Sequence, residues 1–210
     1  MEERNQQPGE ALRDIRQMME RSSRFISLSG LSGISAGICA LAASWVARNM
    51  LSKYEFGIPG SSRYGAMDLL TLQLFGLAVI TFVLAFAVSF LFTYKRAQKL
   101  QLPVWDHTSR RLLWNVMVPI AAGALFIIGM LNYNEWRFVA PACLVFYGLG
   151  LINGSKYTLS DIRYLGYLQI ILGFINMWYV GYGLVFWALG FGVLHIVYGA
   201  IMWFKYESKN

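Results

Sequence analysis

Charged residues are scarce in this chain, and the charge that it carries is mostly of one sign. Asp, Glu, Lys and Arg make up 14% of its 210 residues, and the formal net charge is +7. Soluble domains carry about 25% charged residues. Because 57% of the residues are hydrophobic, the composition excludes an ordinary soluble domain. It predicts that most of the chain faces lipid or other helices.

The residues that support metal and redox chemistry are also few. The chain has two histidines, His107 and His195, and two cysteines, Cys39 and Cys143, which lie inside apolar segments. No Cys-x-x-Cys pair or Cys/His cluster is present, so neither a zinc site nor a disulfide framework is expected. Counting residues along the predicted helices places both cysteines at a similar depth in the membrane. Whether the two side chains meet stays open. We expect no metal and no cofactor.

Catalytic sequence motifs are missing as well. The run Gly33-Ile-Ser-Ala-Gly37 has Gly-x-Ser-x-Gly spacing but lies inside an apolar span and not at the strand-to-helix turn of a nucleophile elbow. There is no His-Glu-x-x-His and no glycine-rich phosphate loop with a lysine. The apolar segments contain no carboxylate pair. We therefore predict that the protein is not an enzyme.

Long apolar segments are what the chain has instead. Leu184 to Phe204 is 21 residues, or about 31 Å of helix, which is enough to cross a hydrocarbon layer of about 30 Å. Trp178 lies before this segment and Trp203 lies at its other end, as interfacial aromatics do. Six such spans are predicted, over residues 25–47, 68–94, 112–131, 136–152, 162–179 and 184–204.

The distribution of basic residues predicts the orientation of these spans. Of the 18 Lys and Arg residues, 14 fall in the N-terminal segment, residues 95–111, residues 153–163 and the C-terminal tail. Basic loops stay in the cytoplasm. The fold class is thus all-α: a polytopic integral membrane protein of the cell (inner) membrane, with six transmembrane helices in three hairpins and cytoplasmic N- and C-termini. Whether the hairpins are a true repeat stays open. The lipid bilayer accounts for the net charge, and no nucleic acid is expected as a partner.

The N-terminal segment, residues 1–24, precedes a transmembrane domain over residues 25–206. Within it, residues 10–24 carry Leu12, Ile15 and Met19 at helical spacing, which predicts an amphipathic helix. This helix either lies on the membrane or docks a partner, or it extends the first span into solvent. With residues 95–111, it is a candidate binding surface for a cytoplasmic protein partner.

Small residues predict where helices approach closely. Ser29, Gly33 and Gly37 recur every four residues in the first span, and Gly192 and Gly199 lie on one face of the last span. Such spacing allows backbones to pack together. The contact is either within the chain or between copies in a homo-oligomer.

The leading candidate for a functional side chain is His195, because an ionisable residue at membrane depth is costly and marks function by default. It is a candidate proton or ligand site, in a pocket whose other predicted members are Asn176, Gln169, Tyr198 and Trp187. The alternative is a neutral histidine hydrogen-bonded to an asparagine, a tyrosine or a backbone carbonyl. Amide side chains also join helices in membranes.

Local signals predict three details. Pro119 removes a backbone donor, which leaves the carbonyl of Asn115 without its usual partner. Asp106, Thr108 or Ser109 is expected to cap the third span. Thr158 and Asp161 have the spacing of a capping box before the fifth span.

Both ends of the chain carry a resemblance. The run Lys156-Tyr-Thr-Leu-Ser-Asp-Ile-Arg-Tyr-Leu-Gly, the run Trp187 to Gly199 and the start Ser22-Ser-Arg-Phe-Ile-Ser-Leu-Ser-Gly resemble a family of uncharacterised bacterial six-span membrane proteins. The resemblance implies no established activity or site. It implies a sensing or envelope-response role, because such proteins tend to be encoded near a small winged-helix regulator.

Two functions follow as hypotheses. The first is a non-enzymatic sensor or scaffold that acts through helix packing and cytoplasmic docking. The alternative is a small-molecule transporter or ligand-binding membrane protein with a pocket around His195.

Overall fold

A computed structural model of the protein describes residues 28–55 and 63–208. The predicted amphipathic helix over residues 10–24 lies outside these residues. Within them every regular element is a helix, which confirms the all-α prediction for this part of the chain. The six helices are α1 (Gly30–Glu55), α2 (Arg63–Lys99), α3 (His107–Asn132), α4 (Val139–Gly154), α5 (Ile162–Trp178) and α6, which consists of Gly183–Trp187, a π-helical segment Ala188–Leu194 and His195–Tyr206.

Five of these helices are long and apolar enough to cross a membrane. The five candidate membrane spans are Gly30–Lys53, Leu69–Lys99, His107–Asn132, Trp136–Gly154 and Val180–Tyr206. The last two include the single 3₁₀ turns that precede α4 and α6. The remaining helix, α5, has 17 residues and is about 25 Å long. The apolar helices indicate a multi-pass membrane protein. Helices α1 and α2 are longer than the predicted spans 25–47 and 68–94, because α1 continues to Glu55 and α2 begins at Arg63.

Four helices form the packed part of the molecule: α1, α4, α5 and α6. Helix α6 packs against the other three, and α4 packs most extensively against α5. The closest approach of α4 and α5 is at Gly148 and Gly166. A Cβ on Gly148 would lie 2.7 Å from the Gly166 carbonyl oxygen, and one on Gly166 would lie 2.8 Å from the Gly148 oxygen. Only glycine allows this separation of the two backbones.

Glycines also set the contact between α1 and α6. A Cβ on Gly37 would lie 2.6 Å from the Gly192 carbonyl oxygen, and one on Gly33 would lie 3.1 Å from the Gly199 Cα. The glycine stripe of the first span therefore faces the glycines near His195 within the same chain. Ser29, at the start of the stripe, is buried, and its hydroxyl donates to the Glu207 carboxylate at 3.1 Å.

A hydrogen bond to the backbone carbonyl that Pro119 leaves free joins α3 to α4. Pro119 lies inside α3, and the side-chain amide of Asn153 donates to the carbonyl oxygen of Asn115 at 2.9 Å. The acceptor expected to be free is thus satisfied by the neighbouring helix. At its N-terminus α3 is capped by Asp106, which forms a reciprocal capping box with Ser109.

The capping box predicted before α5 is wrong. Asp161 precedes α5 and makes no side-chain capping bond. Its carboxylate instead accepts hydrogen bonds from Lys205 at 2.6 Å and from the Tyr206 hydroxyl at 2.9 Å. The carboxylate is engaged by the end of α6, so it is not turned toward the backbone of its own helix.

Helices α2 and α3 are peripheral. In the most apolar stretch of each, 6% of the residues are buried, compared with 39% in α1. Helix α2 packs extensively against α1. Its buried residues are Thr81, Thr93 and Ala97, and the Ser89 hydroxyl donates to the Ser32 carbonyl at 3.0 Å. Most of the other described side chains of α2 are exposed or half-buried.

Hydrogen bonds bring several helix ends together at one end of the bundle. The Glu207 carboxylate, just after α6, accepts from Ser29, from the Gly30 backbone N–H and from Arg96. The guanidinium of Arg96 also donates to the carbonyl of Leu28. The Lys205–Asp161 bond adds the start of α5 to this group. We call this the basic end, because most of the described lysines and arginines lie there: Lys95, Arg96, Lys99, Arg110, Arg111, Lys156, Arg163 and Lys205.

Candidate functional site

The side chain of His195 lies between α4, α5 and α6, directly after the π-helical segment. It is 7% exposed. Its Nε2 atom is 2.8 Å from the Tyr147 hydroxyl, and its Nδ1 atom is 2.9 Å from the carbonyl oxygen of Gly190. A carbonyl oxygen only accepts, so Nδ1 carries the hydrogen. In the neutral ring Nε2 then accepts the Tyr147 hydroxyl proton, and both ring nitrogens are bonded within the bundle.

Gln169 shares the same backbone acceptor. Its side chain is fully buried, and its amide nitrogen donates to the Gly190 carbonyl at 2.8 Å. The same nitrogen is 3.5 Å from Nδ1 of His195, but both atoms carry hydrogens when Nδ1 donates to Gly190, so this pair is not a hydrogen bond. The Gly190 carbonyl therefore joins α5 to α6. It lies in the π segment, where the usual i→i−4 bonding pattern is altered.

Gly190 fits closely between two neighbours. A Cβ on Gly190 would lie 2.3 Å from Cδ2 of Leu144 and 2.6 Å from Oε1 of Gln169. No hydrogen-bond donor in the described residues reaches this Oε1 atom. The Gly190 α-hydrogen that takes the place of the Cβ points toward it, and such C–H···O contacts are weakly favourable. Any side chain at position 190 would displace the amide of Gln169.

An aromatic cluster surrounds the histidine. The ring centroid of Phe191 is 5.1 Å from that of Tyr147, 5.1 Å from that of Trp187 and 6.0 Å from that of His195. The predicted site residue Trp187 is thus connected to His195 through Phe191. These rings are half-buried.

Asn176 and Tyr198, the other two predicted members, do not join this group. Asn176 is fully buried, and its amide donates to the carbonyl of Tyr179 at 3.1 Å, at the end of α5. It is seven residues, or about 10 Å of helix, from Gln169. The Tyr198 hydroxyl is buried without a hydrogen-bond partner in the described residues, and its electrostatic neighbours are Asp161 and Tyr206. The structure therefore assembles His195 and Gln169 but separates Asn176 and Tyr198 from them.

Two members of the site were not predicted from the sequence. Tyr147 is one of 12 tyrosines, and nothing in its local sequence distinguishes it. Gly190 lies five positions before His195, whereas a regular helix brings positions three and four residues away onto one face. The available signal was the Gly-Phe-Gly run over residues 190–192, which interrupts a helical stretch.

Among the described residues, no group of three or more His, Cys, Asp or Glu side chains is close enough to hold a metal ion. Cys39 and Cys143 are both free and half-buried.

No protein-family model, no curated protein and no solved structure matches this chain. The resemblance to bacterial six-span proteins therefore stays a prediction.

Proposed function

We propose that the protein is a six-span bacterial inner-membrane protein with both termini in the cytoplasm. The distribution of lysine and arginine supports this orientation, since the basic end collects most of these residues and basic segments stay in the cytoplasm. The exposed apolar side chains of α5, among them Leu168, Ile171 and Phe174, support α5 as the sixth span. A helix of 17 residues crosses if the bilayer thins locally.

We propose further that it works as a non-enzymatic scaffold or sensor. The observation that carries this proposal is that both ring nitrogens of His195 bond to groups of the same bundle, Tyr147 and Gly190. The ionisable residue at membrane depth thus serves helix packing. The surfaces that we propose for partners, a second copy of the chain among them, are the exposed faces of α2 and α3 and residues 10–24 and 95–111.

Transport or ligand binding is the second candidate. It is favoured by three buried oxygen atoms without a hydrogen-bond partner among the described residues: Oε1 of Gln169, Oδ1 of Asn176 and the hydroxyl of Tyr198. A ligand donor or a proton path would use such atoms. The two functions differ in whether the neighbourhood of His195 opens during activity.

A flux assay separates the two functions. The full chain is reconstituted into vesicles that contain a pH-sensitive dye, with a mixture of labelled amino acids, sugars and nucleosides outside. If the protein is a scaffold, vesicles that contain it show the same internal pH and the same uptake of labelled solute as protein-free vesicles. Solute or proton movement that His195→Ala stops, while the exposed-site control Tyr133→Phe does not, would establish the transporter instead.

Cysteine labelling tests the topology. In a chain with Cys39 and Cys143 replaced by alanine, we expect Asn134→Cys and Gly181→Cys to react with a membrane-impermeant maleimide in intact spheroplasts. Lys156→Cys should react only after permeabilisation. Protection of Gly181→Cys together with Lys156→Cys would show that α5 does not cross.

A further inference from the structure

The end of α2 lies close to the start of α3. Helical capping bonds continue α2 as far as Leu102, whose N–H donates to the carbonyl of Ala97, and Gln101 adopts a left-handed conformation with φ of 53°. From Leu102 the chain reaches Asp106, the cap of α3, in four residues, which span at most about 14 Å. The two helices are therefore neighbours at the basic end.

Despite this proximity, α2 and α3 do not pack extensively on each other. In the described part of the chain, the extensive contacts of α2 are with α1, and those of α3 are with α4 and the turn before it. Packed helices have axes 8–10 Å apart. Apolar side chains, including Phe82 and Phe86 of α2 and Val118 and Leu125 of α3, are more than half exposed. Because the two helices are joined by a short turn at one end and share no extensive contacts, we infer an apolar cleft between them that opens into the membrane.

Cations without partners lie at the basic end of this cleft. The side chains of Lys95, Arg110 and Arg111 are exposed and make no ion pair or hydrogen bond with described residues. The other described cations of the basic end each have a partner: Arg96, Lys99, Lys156, Arg163 and Lys205. Among the described cations of the basic end, those without a partner all lie on the two helices that border the cleft.

Tryptophans mark the same level. Trp105, in the turn between the helices, is 66% exposed, and Trp114 on α3 is 70% exposed. Exposed tryptophans in membrane proteins lie at the headgroup level, where an apolar ring meets a polar boundary. The three cations and the two indoles therefore lie where a lipid phosphate is found, above a cleft whose walls suit acyl chains.

We propose that one anionic phospholipid of the cytoplasmic leaflet binds in the cleft between α2 and α3. Its phosphate lies at Lys95, Arg110 and Arg111, and its acyl chains lie along the exposed apolar faces. The lipid completes the packing that the two helices lack in the chain itself. That the lipid comes from the cytoplasmic leaflet rests on the proposed orientation of the protein. Lipid binding in detergent does not depend on the orientation, so failure of the orientation and failure of the lipid site are distinguishable.

Native mass spectrometry of the full chain in detergent tests the proposal. Phosphatidylglycerol and phosphatidylcholine with identical acyl chains are added in turn. We expect one phosphatidylglycerol per chain to be retained at least about tenfold more strongly than phosphatidylcholine, since each basic residue near an anionic surface contributes severalfold. The variant Lys95→Gln/Arg110→Gln/Arg111→Gln should lose this preference. The control Arg48→Gln/Lys53→Gln removes exposed cations at the opposite end and should keep it.

Three outcomes would overturn the proposal. Equal retention of the two lipids would remove the headgroup site. An equal loss in the control variant would reduce the effect to net charge. If inorganic phosphate at the same concentration as the lipid displaces phosphatidylglycerol, the three cations bind a soluble anion and not a lipid headgroup.

The position of the acyl chains is tested separately. Phosphatidylglycerol with a photoactivatable group in its acyl chain should label residues 69–91 and 113–128 several times more than the exposed face of α5 at Leu168, Ile171 and Phe174. Even labelling of all three helices would show only annular lipid. Crosslinks between the α2 helices of two copies would show that a second chain fills the cleft instead.

Discussion

The packed helices and the peripheral helices are stabilised in different ways. Helices α1, α4, α5 and α6 meet through glycines whose backbones approach to distances that exclude a methyl group. Two glycines of α2 and α3 face open space, since a Cβ on Gly76 or Gly129 would have nothing within 4 Å. Gly123 of α3 is different, because a Cβ there would lie 2.5 Å from the Cβ of Phe146 on α4. The same residue type therefore permits close packing where a helix faces a neighbour and contributes only backbone freedom where it faces outward. The difference shows that a glycine-rich sequence does not by itself identify a helix interface.

The largest expected effect comes from adding a methyl group at the glycine contact between α1 and α6. A Cβ on Gly199 would lie 2.6 Å from both the Gly30 carbonyl oxygen and the Ile34 amide nitrogen. Gly199→Ala should therefore lower the free energy of unfolding by about 3 kcal/mol, the upper part of the range for overpacked cores. Reversible unfolding in mixed detergent micelles measures this change.

The matched control is Gly129→Ala on α3. Its methyl group enters open space, and alanine favours a helix over glycine, so stability should rise by about 0.5 kcal/mol. Equal destabilisation by both substitutions would remove the distinction between packed and peripheral helices.

The next effect concerns the attachment of α2 to the packed helices. Arg96 and Glu207 form an ion pair of 2.9 Å with side chains only 13% and 14% exposed. Glu207→Gln should lower stability by about 2 kcal/mol, because hydrogen bonds to charged groups are lost. It should also increase hydrogen–deuterium exchange in the C-terminal part of α2.

A second ion pair provides the comparison. Arg137 and Glu135 lie 3.0 Å apart with side chains 62% and 39% exposed. Glu135→Gln should change stability by less than about 0.5 kcal/mol, as exposed pairs do. If Glu135→Gln destabilises as much as Glu207→Gln, burial does not decide the strength of these pairs.

A smaller effect is expected at the histidine. Tyr147→Phe removes the hydroxyl that donates to Nε2 of His195 and should cost about 1 kcal/mol, as single interhelix hydrogen bonds in membranes do. Tyr133→Phe, at a residue that is 83% exposed, should change nothing measurable. A loss of several kcal/mol at Tyr147 would show that His195 holds more of the fold than its two hydrogen bonds account for.

The smallest effect is a dependence of stability on pH at the basic end. The hydrogen bond from Lys205, aided by that from Tyr206, lowers the pKa of Asp161 below its usual value. The stabilisation is therefore complete above about pH 4, the ordinary pKa of an aspartate, and it declines as the pH falls through the lowered value. Unfolding midpoints measured between pH 3 and 7 should show this slope, and Asp161→Asn should reduce it.

The sequence predicted those features that depend on residues close together in the chain. The apolar runs predicted the long helices, and Pro119 predicted the free carbonyl of Asn115. The partner of that carbonyl, Asn153, was not predictable, because it depends on how α3 and α4 align. The π-helical segment was missed for a similar reason: its altered bonding is stabilised by Gln169 and His195 on the Gly190 carbonyl, a contact between distant residues.

Contacts between residues that are far apart in the sequence also determine which of two roles an individual side chain has. Asp161 has the spacing of a helix cap, yet Lys205 and Tyr206 take its carboxylate. Ser29 begins a small-residue stripe, yet its hydroxyl binds Glu207. A local pattern identified these residues as significant, but the partner 40 or more positions away fixed what each one does.

The π-helical segment sets the rotational phase of α6. A regular helix turns by about 100° per residue, and the wider π turn takes up about one extra residue for the same rotation, so regular bonding of all seven residues Ala188–Leu194 would rotate His195–Tyr206 by roughly 100° relative to Gly183–Trp187. Gly199 would then leave the face of α1, and Glu207 would leave Arg96. One irregular turn in the middle of the helix therefore determines whether both ends of α6 face their neighbours at the same time.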